Sequence, residues 1–206
     1  MTKNGDARPM VGPWKIESTE KIYTNPWIEL ISHNVIQPDG SSGTYGVVNF
    51  KNLAIGILPI DAEGNVTLVG QHRFPLNRYS WELPEGGGQK DKPALDSAAR
   101  ELAEETGLRA NSWIKLTEFD VSNSVTDERA ICFLAWDLEQ GTSAPEPSEE
   151  LTIRKVPFKK LLEMVLSGEI SDSLTIVMTL TAYTKALRGE VPAPISAHIL
   201  DAHERK

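Results

Sequence analysis

Three glutamates in the run Arg100-Glu101-Leu102-Ala103-Glu104-Glu105-Thr106-Gly107-Leu108 form the strongest chemical signal in the chain. A helix turns once every 3.6 residues, so the spacing i, i+3 and i+4 brings the carboxylates of Glu101, Glu104 and Glu105 together on one side. Like charges at this spacing destabilise a helix, and an ion pair between Arg100 and Glu104 would offset only part of that cost. The pattern therefore predicts a site for a hard divalent cation, Mg²⁺ or Mn²⁺.

A glycine-rich turn, Leu83-Pro84-Glu85-Gly86-Gly87-Gly88, precedes this run. Together the two segments resemble the Nudix box, in which a glycine is followed after five residues by a glutamate. Seven residues further on, the box continues as Arg-Glu-apolar-X-Glu-Glu-X-Gly-apolar. Counted from Gly86, the long segment matches throughout, while the first glutamate position holds Lys92. The match is more specific than a single glycine motif, and the alternative is an ordinary acidic surface helix.

The resemblance implies how these residues act. In the Nudix family the glutamates that match Glu101, Glu104 and Glu105 coordinate divalent cations, and a backbone carbonyl that matches that of Glu85 usually joins them. The arginine that matches Arg100 orients the box through a carboxylate contact. Divalent cations neutralise the oxygens of a diphosphate, lower the pKa of a bound water and align the attacking and leaving groups. The expected chemistry is hydrolysis of a diphosphate with Mg²⁺, or with Mn²⁺ in its place.

Lys92 is the one departure from the box, because it removes an acid and adds a positive charge. Asp91 beside it, or Asp96 one turn later, could take over part of the role of the missing glutamate. One interpretation is that Lys92 is a solvated residue at the start of the helix and leaves activity intact. The other is a damaged or repurposed enzyme.

Local signals predict the bounds of the box helix. Pro93 suits its first turn, the side chain of Asp91 could accept from the free backbone N–H groups, and Gly107 can take the left-handed conformation that ends a helix. Apolar residues at helical spacing predict the stripe that packs on a sheet: Leu95, Ala98, Ala99 and Leu102. The acids would then point away from the core.

Two segments before the box bear on the substrate. Gln71-His72-Arg73-Phe74-Pro75 and the segment that begins Trp81-Glu82 resemble the entry to the box in hydrolases of ADP-ribose and nucleoside diphosphate sugars. In that subgroup an arginine and a glutamate that match Arg73 and Glu82 contact the substrate. A surface arginine and a strand-end glutamate are the alternatives. A guanidinium fork suits a pair of diphosphate oxygens, which favours a substrate contact by Arg73.

Two later loops add to this resemblance. Ser124-Val125, in the segment 122–128, stands where the subgroup has a Pro-Gly pair, which favours the nucleoside diphosphate sugar branch over the ADP-ribose branch. A polar turn is the alternative. In the resembling enzymes a glutamate on a mobile loop acts as general base or orients the attacking water, which predicts that role for Glu149 or Glu150. A solvated acidic loop is the alternative there.

The hydrophobic pattern predicts a mixed α/β (α+β) fold, and the resemblance implies a Nudix-like α/β/α sandwich with a mixed sheet. Strands are expected near 27–31, 44–50, 53–60, 66–70, 113–118, 130–136 and 151–156, and two closing helices at 158–167 and 172–187. Residues 1–50 would form an N-terminal antiparallel β extension, and residues 51–206 the hydrolase domain. In the subgroup such an extension pairs with a partner subunit, so a homodimer is expected. Tyr23, Trp27 and Tyr45 could contact the nucleobase or seal the dimer, although core packing is favoured for Trp27.

The composition narrows the functional classes. A net charge of −8 and a pI near 5.1 argue against binding to nucleic acid backbones. No apolar stretch suggests a membrane span or a signal peptide, so a cytoplasmic location is expected. Cys132, the single cysteine, lies in an apolar run and is expected to be a buried, inert thiol. The four histidines have no metal-ligand spacing.

The sequence therefore predicts a Mg²⁺-dependent hydrolase that cleaves a nucleoside diphosphate sugar to a nucleoside monophosphate and a sugar 1-phosphate. ADP-ribose hydrolysis is the alternative within the same family. A Nudix-fold sensor that binds a nucleotide without cleaving it is the alternative from another class. Retention of all three box acids argues against the sensor, since binding alone does not require a cation that activates water.

Overall fold

The computed structural model describes residues 9–141 and 150–200, and the chain divides into two compact units. The first unit consists of Met1–Asn52 and Asp120–Glu128. The second consists of Leu53–Phe119 and Arg129–Lys206.

The first unit contains a four-stranded antiparallel sheet in the order β1-β2-β3-β4. The strands are Met10–Val11, Trp14–Thr24, Ile28–Ile36 and Ser42–Phe50. Segment 120–128 joins this unit through a hydrogen bond from the Val48 N–H to the Val125 carbonyl (2.9 Å). The predicted N-terminal antiparallel sheet is confirmed. Strand β2 was not predicted, because most of its residues are exposed and the apolar alternation is weak.

The predicted core packing of Trp27 is wrong, since its side chain is 66% exposed. The turn between β2 and β3 gives the reason. The Asn25 side-chain oxygen accepts hydrogen bonds from the backbone N–H groups of Trp27 (2.8 Å) and Ile28 (2.7 Å). This turn fixes the backbone of Trp27 and leaves its indole outside the core.

The second unit contains two sheets and four helices among its described residues. The first sheet has the order β8-β5-β10-β9 and the second the order β11-β6-β7. The strands are β5 (Asn52–Pro59), β6 (Asn65–Arg73), β7 (Arg78–Glu82), β8 (Glu85–Gln89), β9 (Leu108–Asp120), β10 (Arg129–Gln140) and β11 (Thr152–Pro157). The helices are α1 (Ala94–Thr106), α2 (Phe158–Leu166), α3 (Ser173–Leu187) and α4 (Ala193–Leu200). Strands β5 and β10 are parallel, whereas β6 is antiparallel to both neighbours, so the arrangement is mixed.

Helices cover both faces of the sheet that contains β5 and β10. On one face, Ile55, Ile57, Phe133 and Ala135 of the sheet form a core with Ala98 and Leu102 of α1. Strand residues alternate in direction, so their neighbours face the other side. There, a Cβ on Gly56 would lie 2.7 Å from Cε of Met178 on α3 and 3.2 Å from Sγ of Cys132. The predicted mixed α/β architecture is confirmed.

The box helix differs from its prediction in two ways. Residue Pro93 occupies the N-cap position without any side-chain cap, so the predicted cap by Asp91 is wrong. Leu95 is 40% exposed and Ala99 is also exposed. The buried face consists of Ser97, Ala98, Glu101, Leu102, Glu105 and Thr106. The acids at 101 and 105 therefore point inward, against the prediction, because this face packs on β8. Gly107 ends the helix at φ 73°, as predicted.

The end of the chain holds one more helix than predicted, α4. Two prolines, in the segment Val191-Pro192-Ala193-Pro194, favour a loop in the sequence. Proline is nevertheless compatible with the first turn of a helix. Gly168 follows α2 at φ 78°, and Asp172 caps α3. Among residues 9–141 and 150–200, no helix has both the length and the apolar character needed to cross a membrane.

Candidate active site

The inward-facing acids of α1 meet the turn that leads into β8. As whole residues, Glu101 and Glu105 are only 9% and 4% exposed, although glutamates are rarely buried without a partner. The backbone N–H of Glu85 donates to Oε2 of Glu105 at 3.1 Å. At Gly86, a Cβ would fall 2.2 Å from Cδ of Glu101, so only glycine allows the backbone to pass so close to this carboxylate.

Arg100 connects the helix to the same turn. Its Nη1 donates to Oε2 of Glu104 (2.6 Å), and its Nη2 donates to Oε1 of Glu101 (2.7 Å) and to the carbonyl of Gly87 (2.9 Å). One guanidinium therefore holds two box glutamates and one backbone oxygen. Of these two glutamates, Glu104 is the more exposed, with 34% of its side chain accessible compared with 11% for Glu101.

Arg73, at the end of β6, forms a second ion-pair cluster. Its Nε lies 3.0 Å from both carboxylate oxygens of Glu82, and its Nη2 donates to Glu82 (2.5 Å) and to Oε1 of Glu85 (2.6 Å). Burial opposes the charge on this guanidinium, but the Glu82 hydrogen bonds and the Glu85 charge raise the pKa of Arg73 above its ordinary value. The fork is thus fully ionised and fixed on β7 and β8.

A third carboxylate, Asp172, completes this cluster. One oxygen from each of Glu82, Glu85 and Asp172 lies within 4.8 Å of the others. All three residues and Arg73 line an open cavity of about 350 Å³. Asp172 accepts a hydrogen bond from the backbone N–H of Thr175 (2.7 Å), as the N-cap of α3. Burial is the main cause that raises the pKa of Asp172 above its ordinary value.

Glu85 joins the two clusters, because its backbone binds Glu105 and its side chain binds Arg73. Its other carboxylate oxygen, Oε2, is buried and has no hydrogen-bond partner among the residues that the structure describes. Burial, and then the nearby charges of Asp172 and Glu82, raise the pKa of Glu85 well above its ordinary value, although Arg73 opposes this shift. Several carboxylates thus share one small volume with a single arginine.

This donor set fits a divalent cation. Every candidate ligand is an oxygen atom, which suits hard cations rather than zinc or copper. The buried Glu85 oxygen without a partner is the kind of group that a cation would satisfy. The carboxylate cluster is therefore compatible with the divalent metal that the box predicts.

Two glutamates are predicted to act as general base or to orient the attacking water, and the structure describes one of them. Glu149 lies outside the described residues, whereas Glu150 is exposed just before β11. Strand β11 runs antiparallel to β6, with Thr152 opposite Gly70. Glu150 and Leu151, which lead into β11, therefore lie at the same end of β6 as Arg73. Trp27, the other predicted substrate contact, belongs to the first unit.

Asp172 is the residue that sequence reasoning missed. Its segment, Asp172-Ser173-Leu174-Thr175, is a signal for the start of a helix, but nothing in it indicates proximity to Arg73. That proximity depends on the packing of α3, which only the three-dimensional structure shows. Cys132 is buried, as predicted, and burial raises the pKa of its thiol to about 12, so it is inert at neutral pH.

Comparisons with known proteins bear on the family and fold of this chain. A family model described as NUDIX domain matches residues 50–173, and one described as nucleoside diphosphate sugar hydrolase N-terminal domain matches residues 14–48. The chain is 31% identical over 188 residues to the ADP-ribose pyrophosphatase of Mycobacterium tuberculosis, covering 89% of this chain and 90% of that protein. It is 31% identical over 163 residues to the ADP-ribose pyrophosphatase of Bacillus subtilis, covering 78% and 88%. A solved structure of an ADP compounds hydrolase has the same fold, with a TM-score of 0.78, 17% identity and coverage of 89% and 100%.

Proposed function

Because this chain belongs to the Nudix family and is a pyrophosphate hydrolase of the ADP-ribose and nucleoside diphosphate sugar type, we propose that ADP-ribose is its substrate. ADP-ribose is itself a nucleoside diphosphate sugar, and its hydrolysis gives AMP and ribose 5-phosphate. Two relatives that are 31% identical are named for this activity, which supports the choice.

The observation that carries the proposal is the double role of Glu85. Its backbone contacts the box through Glu105, and its side chain contacts Arg73. This connection places an arginine fork, the group best suited to a diphosphate, directly beside the carboxylates that fit a cation. In the proposed complex Arg73 binds phosphate oxygens, and Glu82 keeps its guanidinium plane fixed.

We propose Mg²⁺ as the cation, with Mn²⁺ as a substitute, held by Glu101, Glu105 and the Glu85 carbonyl, with Glu104 beside them. When bound, such a cation neutralises the phosphate oxygens and lowers the pKa of water. Arg100 has a positioning role, since it holds Glu101 and Glu104 in place.

The hydrolytic step follows from these roles. The oxygen of a water molecule forms a bond to one phosphorus of the diphosphate while the bond from that phosphorus to the bridging oxygen breaks. The bridging oxygen leaves with the second phosphate, and the water proton passes to a general base. Glu149 or Glu150 is proposed as that base, and the start of β11 at the Arg73 end of β6 supports this role for Glu150.

The first unit is proposed to contribute to dimerisation and base recognition. Tyr23 and Trp27 are both more than half exposed and are therefore available for either role. Tyr45 is used within the unit, where its hydroxyl donates to the carbonyl of Ser124 (2.7 Å) and its ring packs edge-on against Trp14. A homodimer and a cytoplasmic location stay predictions.

A second candidate is a nucleoside diphosphate hexose, which gives a sugar 1-phosphate. The pair Ser124-Val125 favours it, since the resemblance associates this pair with the sugar branch rather than the ADP-ribose branch. The two candidates share the diphosphate and differ only beyond the second phosphate.

A substrate panel tests the proposal. ADP-ribose, ADP-glucose, UDP-glucose, GDP-mannose and a dinucleoside polyphosphate are each incubated with Mg²⁺, with EDTA as the control, and the products are separated by chromatography. We expect the highest kcat/KM for ADP-ribose. Preference for a hexose nucleotide would select the second candidate. Absence of Mg²⁺-dependent turnover for every compound would reject hydrolysis and support a nucleotide sensor.

A further inference from the structure

The N-terminal turn of α3 lies against the proposed active site, although it is far from the box in sequence. Asp172 caps this helix, and its carboxylate lies within 4.8 Å of those of Glu82 and Glu85. Thr175, one turn into the helix, is completely buried. Asp172 belongs to the carboxylate cluster of the site, but neither Asp172 nor Thr175 has a role in the proposed hydrolytic step.

The hydroxyl of Thr175 connects the helix to the turn between β7 and β8. Its Oγ1 accepts a hydrogen bond from the backbone N–H of Leu83 at 2.9 Å. The carboxylate of Asp172 lies beside the same side chain and accepts from the Thr175 backbone N–H at 2.7 Å. A hydroxyl has one proton and two lone pairs, so it can donate to Asp172 while it accepts from Leu83. Asp172 therefore holds in place the residue whose hydroxyl anchors the turn.

Three elements hold consecutive residues of this turn. The Leu83 N–H binds the α3 hydroxyl, the Pro84 carbonyl accepts from the Ile57 N–H on β5 (2.9 Å), and the Glu85 N–H binds Glu105 on α1 (3.1 Å). Of the three anchors, the one on α3 uses a side chain outside both the box and the sheet. Loss of that anchor would leave a buried N–H unpaired and allow the turn to shift.

We propose that Thr175 and Asp172 are positioning residues of the active site, which fix the Leu83–Glu85 turn so that Glu85 meets the box carboxylates around the cation. The proposal rests on the proposed metal-dependent function and extends it to α3. Groups that orient metal ligands without touching the metal commonly change metal affinity by about 10- to 100-fold when they are lost. An effect on cation affinity is therefore the distinguishing consequence.

The chain offers a matched control on the same helix. Thr179 lies one turn beyond Thr175, is also completely buried, and donates its hydroxyl to the Thr175 carbonyl (2.7 Å). Thr175→Val and Thr179→Val therefore remove the same hydroxyl at equal burial, but only the first removes the anchor of Leu83. Thr175→Ser keeps the hydroxyl.

A second pair of variants tests Asp172. Asparagine caps helices about as well as aspartate and still offers a side-chain oxygen to the Thr175 backbone N–H. Asp172→Ala should weaken Mn²⁺ binding as Thr175→Val does, whereas Asp172→Asn should keep the Tm that Asp172→Ala loses with the helix cap.

The decisive measurement is the Kd for Mn²⁺ of the full-length protein without substrate, by calorimetry or electron paramagnetic resonance, alongside Tm and kcat. We expect Thr175→Val to weaken Mn²⁺ binding by about tenfold or more and to lower kcat, with Thr175→Ser and Thr179→Val within about threefold of wild type. Equal losses of Tm in Thr175→Val and Thr179→Val, with the Mn²⁺ Kd unchanged in both, would overturn the proposal. So would a wild-type protein that binds no Mn²⁺.

The outcomes separate this proposal from the proposed function. A wild-type enzyme that hydrolyses ADP-ribose, with an unchanged Mn²⁺ Kd in Thr175→Val, would keep the function and reject the positioning role. A wild-type protein without turnover, in which Thr175→Val still weakens Mn²⁺ binding, would reject hydrolysis and keep the positioning role.

Discussion

The backbone at Gly86 and the carboxylate of Glu101 are so close that a Cβ at residue 86 would lie 2.2 Å from Cδ and 2.4 Å from Oε2. This approach lets the turn before β8 lie directly on the buried face of α1. The carboxylate cannot move away freely, because Arg100 holds its other oxygen at 2.7 Å. The glycine is thus required for the local arrangement of the site as well as for the motif.

Gly86→Ala should therefore lower the activity and the cation affinity of the site more than it lowers the stability of the fold. The added methyl group would push the Glu101 carboxylate out of place, and we expect Mn²⁺ affinity and kcat to fall by about tenfold or more. Gly46→Ala is the control, since a Cβ there would meet no atom within 4 Å. Calorimetry and steady-state kinetics measure both variants. Equal activity in Gly86→Ala and wild type would contradict the close approach.

Loss of a buried glutamate of α1 should lower kcat more than loss of the exposed Glu104. Glu105→Gln removes a buried carboxylate that also accepts from the Glu85 N–H, so we expect a loss of kcat of at least about tenfold with Mg²⁺. Glu104→Gln should cost less, because Glu104 is more exposed than Glu105 and is held in an ion pair by Arg100. Kinetics at saturating Mg²⁺, with Tm as a check on folding, compare the two. A larger loss in Glu104→Gln would reverse the proposed order of ligands.

The sequence predicted the elements of this site better than their orientation. Helix α1 ends at Gly107 as its glycine indicates, and the ion pair of Arg100 with Glu104 forms as their spacing predicts. The burial of Glu101 and Glu105 was predicted wrongly. A helical wheel shows which residues share a face, but which face is buried depends on the partner, and here a glycine-rich strand accepts carboxylates.

Contacts between distant segments account for the remaining failures. Asp172 lies near Arg73 only because the start of α3 contacts the turn after β7, and no local pattern contains that information. Trp27 is a large aromatic residue that composition assigns to a core, whereas the Asn25 turn leaves it outside. Long-range packing decides both cases.

The role of Arg73 should depend on the several hydrogen bonds of its guanidinium group and not on its positive charge alone. Its guanidinium makes a bidentate contact with Glu82 and a further contact with Glu85, which a lysine ammonium cannot reproduce. We expect Arg73→Lys to raise KM for ADP-ribose by about tenfold, with a smaller change in kcat. Arg78→Lys is the control, because Arg78 donates to the hydroxyl of Ser171 rather than to this carboxylate pair. An unchanged KM in Arg73→Lys would remove Arg73 from the substrate site.

Lys92 should have little effect on activity. It is exposed before α1, where its backbone N–H donates to the carbonyl of Gln89 (3.2 Å). Lys92→Glu restores the motif, and we expect kcat/KM within about threefold of wild type, because water and salt screen an exposed charge. Lys90→Glu, the same charge change two residues earlier, is the control. An increase of more than about tenfold in Lys92→Glu alone would identify Lys92 as a defect of the box.

The buried carboxylate of Glu85 should make the metal-free protein less stable as pH rises. Burial and the neighbouring acids raise its pKa in the native state, so above the ordinary value of 4.5 the native state holds more protons than the unfolded state. The free energy of unfolding then falls with increasing pH until the native pKa is passed. Glu85→Gln removes this titration and keeps an oxygen that can accept from Arg73.

We therefore expect Tm in EDTA to fall in wild type over the pH range above the ordinary pKa of 4.5, and to fall less in Glu85→Gln. The variant should be the more stable protein at the upper end of that range. Glu163→Gln, an exposed carboxylate on α2, is the control and should follow wild type. Parallel curves for wild type and Glu85→Gln would show that Glu85 ionises as freely as an exposed acid. The crowding of three carboxylates around a single arginine would then have no effect on stability, contrary to the burial of this side chain.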